Sequence, residues 1–265
     1  MSLCSEKTKW PLPDFDDNEQ PHFLFIITPP YSGSTALAKI LNTSNRTMLL
    51  TQRGEGQFLI PGLYEGNRWD STREINYLSI KAVWLHRYQQ IKQMNPKINV
   101  VIEKSPPNMI RIEKIASLFN DVSFIANNRN PYANCASMLY RKFETAKHDT
   151  NQRKLILEML ANFWINRSDT IRKLIAKHAI PLLTYEQFCQ DPTVVIKILN
   201  LPVGVSESIN PFAKVKVKDY EIQGIQDQND RQISHLKSED IECISRILKP
   251  FSELLQFFGY RIMNV

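Results

Sequence analysis

Residues 29–35, which read PPYSGST, have the composition of a loop that binds an anion. They follow an apolar run and precede a helical pattern that begins near Ser34, and Gly33 allows the backbone to turn tightly between the two. Backbone N–H groups of residues 32–35 could then point at an anion, with the hydroxyls of Ser34 and Thr35 as further donors. The loop is not a Walker A motif, and its Ser and Thr could instead be ordinary N-cap residues.

A second group of polar residues follows the apolar run at 122–127 and could clamp a phosphate. Arg129 comes after that run, Ser137 lies about two helical turns further on, and Arg141 is one turn beyond Ser137 on the same face. Two guanidinium groups and a hydroxyl can surround a phosphate from several sides, because arginine donates to it in a bidentate geometry. A solvated pair of arginines with a buried serine is the alternative.

Both groups must be positioned by regular elements, and the hydrophobic pattern predicts an alternation of strands and helices. An unbroken apolar run, typical of a strand buried on both faces, occurs within residues 22–28, and shorter, mostly apolar segments at 99–103, 122–127 and 180–184 predict further strands. Helical patterns begin at Ser34 and Pro131 and cover 108–119, 152–177 and 238–258. The alternation predicts an α/β fold, a single domain with a central parallel sheet flanked by helices, in residues 22–265 after an irregular arm at 1–21.

The composition limits the classes of partner. Thirty-three basic against 27 acidic residues give a net charge of +6 and a pI near 9.1, which fits an anionic ligand but is too small an excess to indicate nucleic acid. The four cysteines are scattered without ligand spacing, so they favour reduced thiols over a metal site. With no signal-peptide pattern and no apolar stretch of membrane-spanning length, the sequence predicts a soluble cytoplasmic protein.

Together, the two polar groups resemble the motifs with which the sulfotransferase family binds PAPS, 3′-phosphoadenosine 5′-phosphosulfate. The resemblance implies that the 5′ end is held by Tyr31, Ser32, Gly33, Ser34 and Thr35, and the 3′-phosphate by Arg129, Ser137 and Arg141. Three further segments are similar to the family in the same order: EKSP at 103–106, LTYEQF with DP at 183–192, and FGY at 258–260. In that family the tyrosine of the middle segment, here Tyr185, sits near the adenine.

The resemblance covers most of residues 23–260 and implies a P-loop-kinase-like sulfotransferase fold that uses PAPS, releases PAP and requires no metal. One position departs from the family pattern, because the loop carries Tyr31 where the family usually has Arg or Lys in contact with the phosphosulfate. The candidate cations that could substitute are Arg53, Lys104, Lys214, Lys216 and Lys218. The lysines alternate with apolar residues in 212–218, a pattern that fits either a strand with a solvated face or a loop closing over the nucleotide.

A glutamate is the predicted base. Residues 53–57, RGEGQ, are similar to the glutamate-bearing RCGEE segment of tyrosylprotein sulfotransferases, and glycines on each side of Glu55 allow a sharp loop. By this interpretation Glu55 removes the acceptor's proton, and Lys104 stabilises the leaving phosphate. Cytosolic members of the family use a histidine instead. The rivals are therefore His22, His86, His148, His178 and His235, of which His235 is the hardest to assign to simple packing.

The predicted function is sulfuryl transfer from PAPS to a hydroxyl of a small molecule, carbohydrate or peptide. The irregular residues 51–70 and 202–235 are predicted to be functional loops. Candidate walls of the acceptor pocket are Phe58, Leu63, Tyr64, Trp69, Tyr77 and Trp84. An ATP-dependent small-molecule kinase is one alternative, although the Walker lysine is missing. A non-catalytic nucleotide-binding protein is the other, and Tyr31 favours it.

Overall fold

Four parallel strands form the central sheet of the computed structural model, which describes residues 20–143, 149–217 and 221–264. The strands are β1 (His22–Ile27), β2 (Thr47–Leu49), β3 (Val100–Glu103) and β4 (Val122–Ala126), in the spatial order β2-β3-β1-β4. The predicted central parallel sheet is therefore confirmed. Its central strand, β1, is buried along its whole length, which explains the unbroken apolar run in the sequence.

The two faces of β1 pack into two different core clusters. Phe23 and Phe25 belong to a cluster with Trp84, whereas Leu24 and Ile26 belong to a cluster on the other face. The helices that supply both clusters are α1 (Ser34–Leu41), α2 (Tyr77–Met94), α3 (Ile112–Ala116), α4 (Pro131–Lys142), α5 (Thr150–His178), α6 (Tyr185–Gln190), α7 (Val194–Ile198), α8 (Asn229–Ile233), α9 (Ser238–Leu248) and α10 (Ser252–Phe257). Helices thus flank the sheet, and the single-domain α/β fold predicted from the sequence is confirmed.

The prediction of a strand at residues 180–184 is wrong. Leu182 forms only an isolated bridge with Ala126. Pro181 has no N–H with which to extend the ladder, and Thr184 already caps α6 through a capping box. The chain therefore leaves the sheet edge after one pairing.

Several helix boundaries also differ from the prediction. The helix expected at 108–119 opens as a 3-10 turn, Pro106–Arg111, so α3 has only five residues. The helix expected at 238–258 is divided into α9 and α10 by the turn Lys249–Phe251, because Pro250 lacks an N–H. The pattern did not predict α2, in which polar and apolar residues mix without a clear stripe.

Some predictions fall on residues outside the described ranges. Only residues 20 and 21 of the expected arm at 1–21 are described, so that boundary stays a prediction. Lys218 is likewise outside the described ranges. The strand expected around it is wrong where the chain is described, because Val215 makes one isolated pairing, with Gln223, and a ladder needs a run of such pairs.

The residues that the structure describes contain neither a membrane-spanning helix nor a cluster of metal-ligating side chains. None of its helices combines the length and the hydrophobicity that crossing a bilayer requires. Within the same residues, no group of three or more His, Cys, Asp or Glu side chains is arranged to hold a metal ion. Cys135, Cys189 and Cys243 are free thiols.

Candidate active site

A cavity of about 340 Å³ lies where the chain leaves the carboxyl ends of β1, β3 and β4. Ligands of open parallel sheets bind at this edge, because the loops that follow neighbouring strands meet there. Most of the predicted site residues line the cavity: Tyr31, Gly33, Ser34, Thr35, Glu55, Lys104, Arg129, Ser137, Arg141 and Tyr185. Residues that are up to 154 positions apart in the sequence are thus brought to one place.

Other candidates lie elsewhere. Lys214 and Lys216 are not among the residues that line the cavity, whereas Arg53 is. The histidines at 22, 86, 178 and 235 do not line it either, and His148 lies outside the described residues. His235 packs against Tyr140 instead, with ring centroids 5.4 Å apart.

The loop before α1 requires glycine at one position. Gly33 has φ 80°, in the left-handed region, and a Cβ there would lie 2.3 Å from Cδ2 of Tyr185. Tyr31 also has a positive φ, of 63°, a conformation that costs a non-glycine residue on the order of 1–3 kcal/mol. The loop is therefore held in a tight shape against the Tyr185 ring, with the first turn of α1 beside the cavity.

The side chain of Ser32 has a structural partner. Ser32 is fully buried, and its hydroxyl accepts a hydrogen bond of 3.3 Å from Nδ2 of Asn134 on α4. The same Asn134 nitrogen donates to the carbonyl of Pro30 at 2.8 Å. Asn134 thus fastens the loop to α4, a role that the sequence did not indicate. Ser32 is also not among the residues that line the cavity.

Arg129 is a buried cation with one unused donor. It is 5% exposed, and its Nε donates to Asn229 Oδ1 at 2.8 Å while Nη1 donates to the Tyr31 carbonyl at 3.2 Å. Its guanidinium lies 4.2 Å from the centroid of the Tyr185 ring. Nη2 is buried and has no partner among the described residues. Because an unpaired buried donor is costly, and Ser137 and Arg141 line the same cavity, the arrangement fits an anionic group such as a phosphate.

A chain of hydrogen bonds holds Arg129 in place. Glu186 accepts from Nδ2 of Asn229 at 2.7 Å, from the backbone N–H of Asn130 at 2.9 Å, and from the hydroxyl of Tyr260 at 2.9 Å. Burial, together with the charge of Glu186, raises the pKa of Tyr260 well above its usual value, so this hydroxyl remains a donor. Glu186 and Tyr260 belong to the YE and FGY segments of the sequence, but their link through Asn229 was not predictable from either segment.

The predicted catalytic pair meets inside the cavity. Nζ of Lys104 donates to Glu55 Oε1 at 3.0 Å and to the Thr35 hydroxyl at 3.1 Å. Lys104 is 2% exposed, and Glu55 also accepts from Nε2 of Gln57 at 3.2 Å. A buried cation therefore connects the first turn of α1 to the carboxylate predicted to be the base.

The backbone on each side of Glu55 is tied to the end of β3. The N–H of Lys104 donates to the carbonyl of Gly54 at 2.7 Å, and the N–H of Gly56 donates to Glu103 Oε1 at 3.0 Å. Gly54 has φ 78°, and a Cβ on Gly56 would lie 2.9 Å from the Trp84 indole. Glycine is thus favoured at position 54 by the positive φ and at position 56 by the close packing against Trp84.

Glu103 is a buried carboxylate that the sequence reasoning did not single out. It is 1% exposed, and besides Gly56 it accepts from the N–H and the hydroxyl of Ser105 and from Nδ2 of Asn108. Burial raises its pKa from 4.5 to about 7, although these hydrogen bonds oppose the rise. The sequence signal for this buried carboxylate is the acidic residue that ends the otherwise apolar strand VVIE.

The acceptor side of the cavity differs in part from the predicted walls. Phe58 and Trp69 line it, and Tyr64 packs on Phe58 with centroids 6.0 Å apart. The prediction that Trp84 is a wall of the acceptor pocket is wrong. Its indole N–H donates to the Gly56 carbonyl at 3.0 Å, and its ring is fully buried in the core. Leu63 is likewise buried in the core, and Tyr77 packs against the core rather than lining the cavity. Additional lining comes from Arg68, Pro106 and Pro107.

The central parallel sheet, with a cavity at the carboxyl ends of its strands, defines an α/β protein of the P-loop-like fold. Residues 21–200 match the model of the Sulfotransferase family, which is more than half of the chain, and the protein belongs to that family. The membership supports sulfotransferase activity and gives no support to a kinase. No curated protein matches the chain.

Solved structures with the same fold are also sulfotransferases. The sulfotransferase domain of the Synechococcus PCC 7002 olefin synthase is 20% identical, with a TM-score of 0.51 over 97% of this chain and 100% of that domain. A sulfotransferase from Mycobacterium avium is 14% identical, with a TM-score of 0.52 over 93% of this chain and 79% of that one. A third, from Alicyclobacillus acidocaldarius, is 13% identical, with a TM-score of 0.52 over 91% and 97%. At these identities the likeness shows the fold alone.

Proposed function

We propose that the protein is a PAPS-dependent sulfotransferase that modifies a hydroxyl acceptor. The observation that carries the proposal is the juxtaposition, in one cavity, of the unused buried Nη2 of Arg129 and the Lys104–Glu55 pair. The first group fits a nucleotide phosphate, and the second fits proton removal beside a fixed cation. Family membership indicates the class of reaction. The cavity contains residues suited to binding a phosphate and residues suited to removing a proton.

Arg129, Ser137 and Arg141 would hold the 3′-phosphate, and the loop before α1 would hold the 5′ end. Nη2 of Arg129, which has no partner within the described residues, would donate to a phosphate oxygen. The hydrogen bonds to Asn229 and to the Tyr31 carbonyl would hold the guanidinium in position. Tyr185 is a suitable neighbour for the adenine, because its ring lines the cavity between Gly33 and Arg129. Lys218 remains a candidate outside the described residues.

Lys104 is the best candidate for the cation that Tyr31 lacks. It is the buried ammonium that contacts both Thr35 of the loop and Glu55. PAPS supplies the sulfuryl group when it is bound. Glu55 accepts the proton of the acceptor hydroxyl, and the ammonium of Lys104, held between Thr35 and Glu55, offsets the negative charge that gathers at the loop. Both groups are pre-positioned by the hydrogen bonds between β3 and residues 54–56.

Transfer of radiolabelled sulfate from PAPS to a panel of phenol, alcohol, sugar and tyrosine-peptide acceptors tests this function. We expect label on at least one acceptor class, and loss of transfer in Glu55→Gln but not in Glu253→Gln, which changes an exposed glutamate on α10. Binding of PAP without transfer to any class would make the protein a non-catalytic binder. A rise in melting temperature with MgATP but not with PAP would contradict the proposal altogether.

A further inference from the structure

The cavity extends beyond the groups that hold a nucleotide. Arg53, Phe58, Arg68 and Trp69 line it together with Glu55, and all of them lie in the irregular segment between β2 and α2. With Lys104 rather than Arg53 proposed as the cation at the phosphosulfate, none of these four is assigned to the donor. Because Glu55 marks the place where the acceptor hydroxyl must lie, these side chains form the surroundings of the acceptor.

This irregular segment is fastened by arginines from two other elements. Arg111 donates from Nη1 to the carbonyl of Arg68 at 3.3 Å and from Nη2 to the carbonyl of Asp70 at 2.7 Å. The guanidinium of Arg167 on α5 lies 3.9 Å from the centroid of Trp69 and 4.6 Å from that of Phe163. The Trp69 ring is therefore fixed in position in the absence of an acceptor. Binding of an acceptor does not have to pay the entropy cost of ordering this side chain.

The charges around this wall are unbalanced. Glu55 is the one acidic side chain among the described residues that line the cavity, and it is paired with Lys104. Arg53 and Arg68 form no ion pair with any carboxylate in the described ranges. Arg68 lies over the Phe58 ring, 5.6 Å from its centroid, which keeps its guanidinium at the cavity.

Arg53 is exposed and Arg68 is half-buried, so both remain hydrated beside a neutral acceptor, which would gain no charge-assisted hydrogen bond from them. An acceptor with an acidic group would pair with one or both of them, because arginine binds carboxylate, sulfate and phosphate through two parallel hydrogen bonds. The apolar faces of Phe58 and Trp69 meanwhile suit a flat or chain-like hydrocarbon body.

We propose that the acceptor is an amphipathic hydroxyl compound whose apolar body lies against Phe58 and Trp69 and whose acidic group is bound by Arg53 and Arg68. This inference rests on the proposed sulfotransferase function, since Glu55 locates the reacting hydroxyl. It narrows the acceptor from any hydroxyl to one that carries a carboxylate, sulfate or phosphate, and it excludes neutral sugars and neutral alcohols as preferred substrates.

The test compares para-hydroxycinnamate with its methyl ester, which has the same hydroxyl and the same ring but no negative charge. Calorimetric titration into PAP-loaded protein should show the acid binding at least about tenfold more tightly than the ester, as expected when a charged hydrogen-bonded pair is gained. The double variant Arg53→Gln/Arg68→Gln should reduce this ratio to about twofold or less. Arg87→Gln/Lys97→Gln, which removes the same charge from an exposed position on α2 and from one just after it, should leave the ratio unchanged.

Three results would overturn the inference: an ester that binds as well as the acid, no saturable binding of either compound, or a preference that survives the double variant. PAP affinity is measured first in each protein. If PAP itself does not bind, the proposed function fails; if PAP binds and the acid is not preferred, only the acceptor class fails.

Discussion

The donor side and the acceptor side of the cavity are built in different ways. The residues proposed to bind the donor lie where regular elements meet, in the loop between β1 and α1 and in the step from β4 into α4. The residues proposed to bind the acceptor lie in an irregular segment that is held by Glu103, Arg111 and Arg167 from distant parts of the chain. The proposed donor site therefore consists of short contiguous motifs, whereas the geometry of the proposed acceptor site depends on long-range contacts.

This contrast predicts separable effects. Changes on the donor side should lower PAP affinity, and changes on the acceptor side should alter turnover or acceptor choice while PAP binding persists. If variants on one side lowered PAP affinity and turnover equally, the two sides would not be functionally distinct.

Glu55→Gln should have the largest effect, on turnover. The variant keeps the size of the side chain but cannot take the acceptor's proton, so we expect kcat to fall by about 10²- to 10⁴-fold. PAP affinity, measured by calorimetry, should change by no more than about threefold, since Glu55 is not among the groups proposed to hold phosphate. Equal losses of PAP affinity and kcat would instead assign Glu55 to donor binding.

Arg129→Ala should have the next largest effect, on PAP affinity. Removing a buried guanidinium that pairs with a phosphate should weaken PAP binding by at least about 30-fold. Arg231→Ala, which removes an exposed cation on α8, is the matched control and should bind PAP normally. A melting-temperature measurement on both variants shows whether the fold survives the change. Unaltered PAP affinity in a folded Arg129→Ala protein would contradict the proposed phosphate clamp.

Glu103 should make stability depend on pH. Burial raises its pKa from 4.5 to about 7, so between those values the unfolded chain has released a proton that the folded chain keeps. The contribution of Glu103 to stability is therefore fully present below about pH 4.5 and decreases as pH rises towards 7, by on the order of 3 kcal/mol.

The matched variant for this prediction is Glu103→Gln, which has no such proton. Denaturant unfolding at several pH values should show the stability of the natural protein falling, relative to the variant, as pH rises from about 4.5 to 7. A difference that stays constant across this range would show that Glu103 keeps an ordinary pKa in the folded chain.

Arg167→Met should have the smallest effect, confined to the acceptor side. The variant keeps an apolar stem against Phe163 but loses the cation that stacks on Trp69, so we expect KM for para-hydroxycinnamate to rise by about three- to tenfold. PAP affinity should not change. Arg172→Met, on the same helix but half exposed, serves as the control. Loss of PAP affinity in Arg167→Met would show that the two sides are coupled.

The sequence predicted those parts of the molecule whose signals are local. Strand β1 appears in the sequence as an unbroken apolar run, and β3 and β4 appear as mostly apolar segments. Gly33 and Arg129 lie in motifs that follow β1 and β4. Lys104, Glu55 and Thr35, predicted separately, are brought into hydrogen-bond contact by the fold.

The rest could not be predicted because it depends on partners far away in the sequence. The side-chain hydroxyl of Ser32 faces Asn134, which lies 102 residues later, and Arg129 is held by Asn229, which lies 100 residues later. Trp84 and Trp69 are equivalent as apolar residues in the sequence. Only the packing of α2 and the position of Arg167 determine that one is core and the other is cavity wall.

The most direct test of the central claim is calorimetric comparison of PAP with ADP. The two nucleotides carry two phosphates each, but only PAP places one at the 3′ position, where Arg129, Ser137 and Arg141 are proposed to bind it. We expect PAP to bind at least about 30-fold more tightly than ADP, and this preference should disappear in Arg129→Ala. Equal affinity for the two nucleotides, or a preference for ADP, would contradict it.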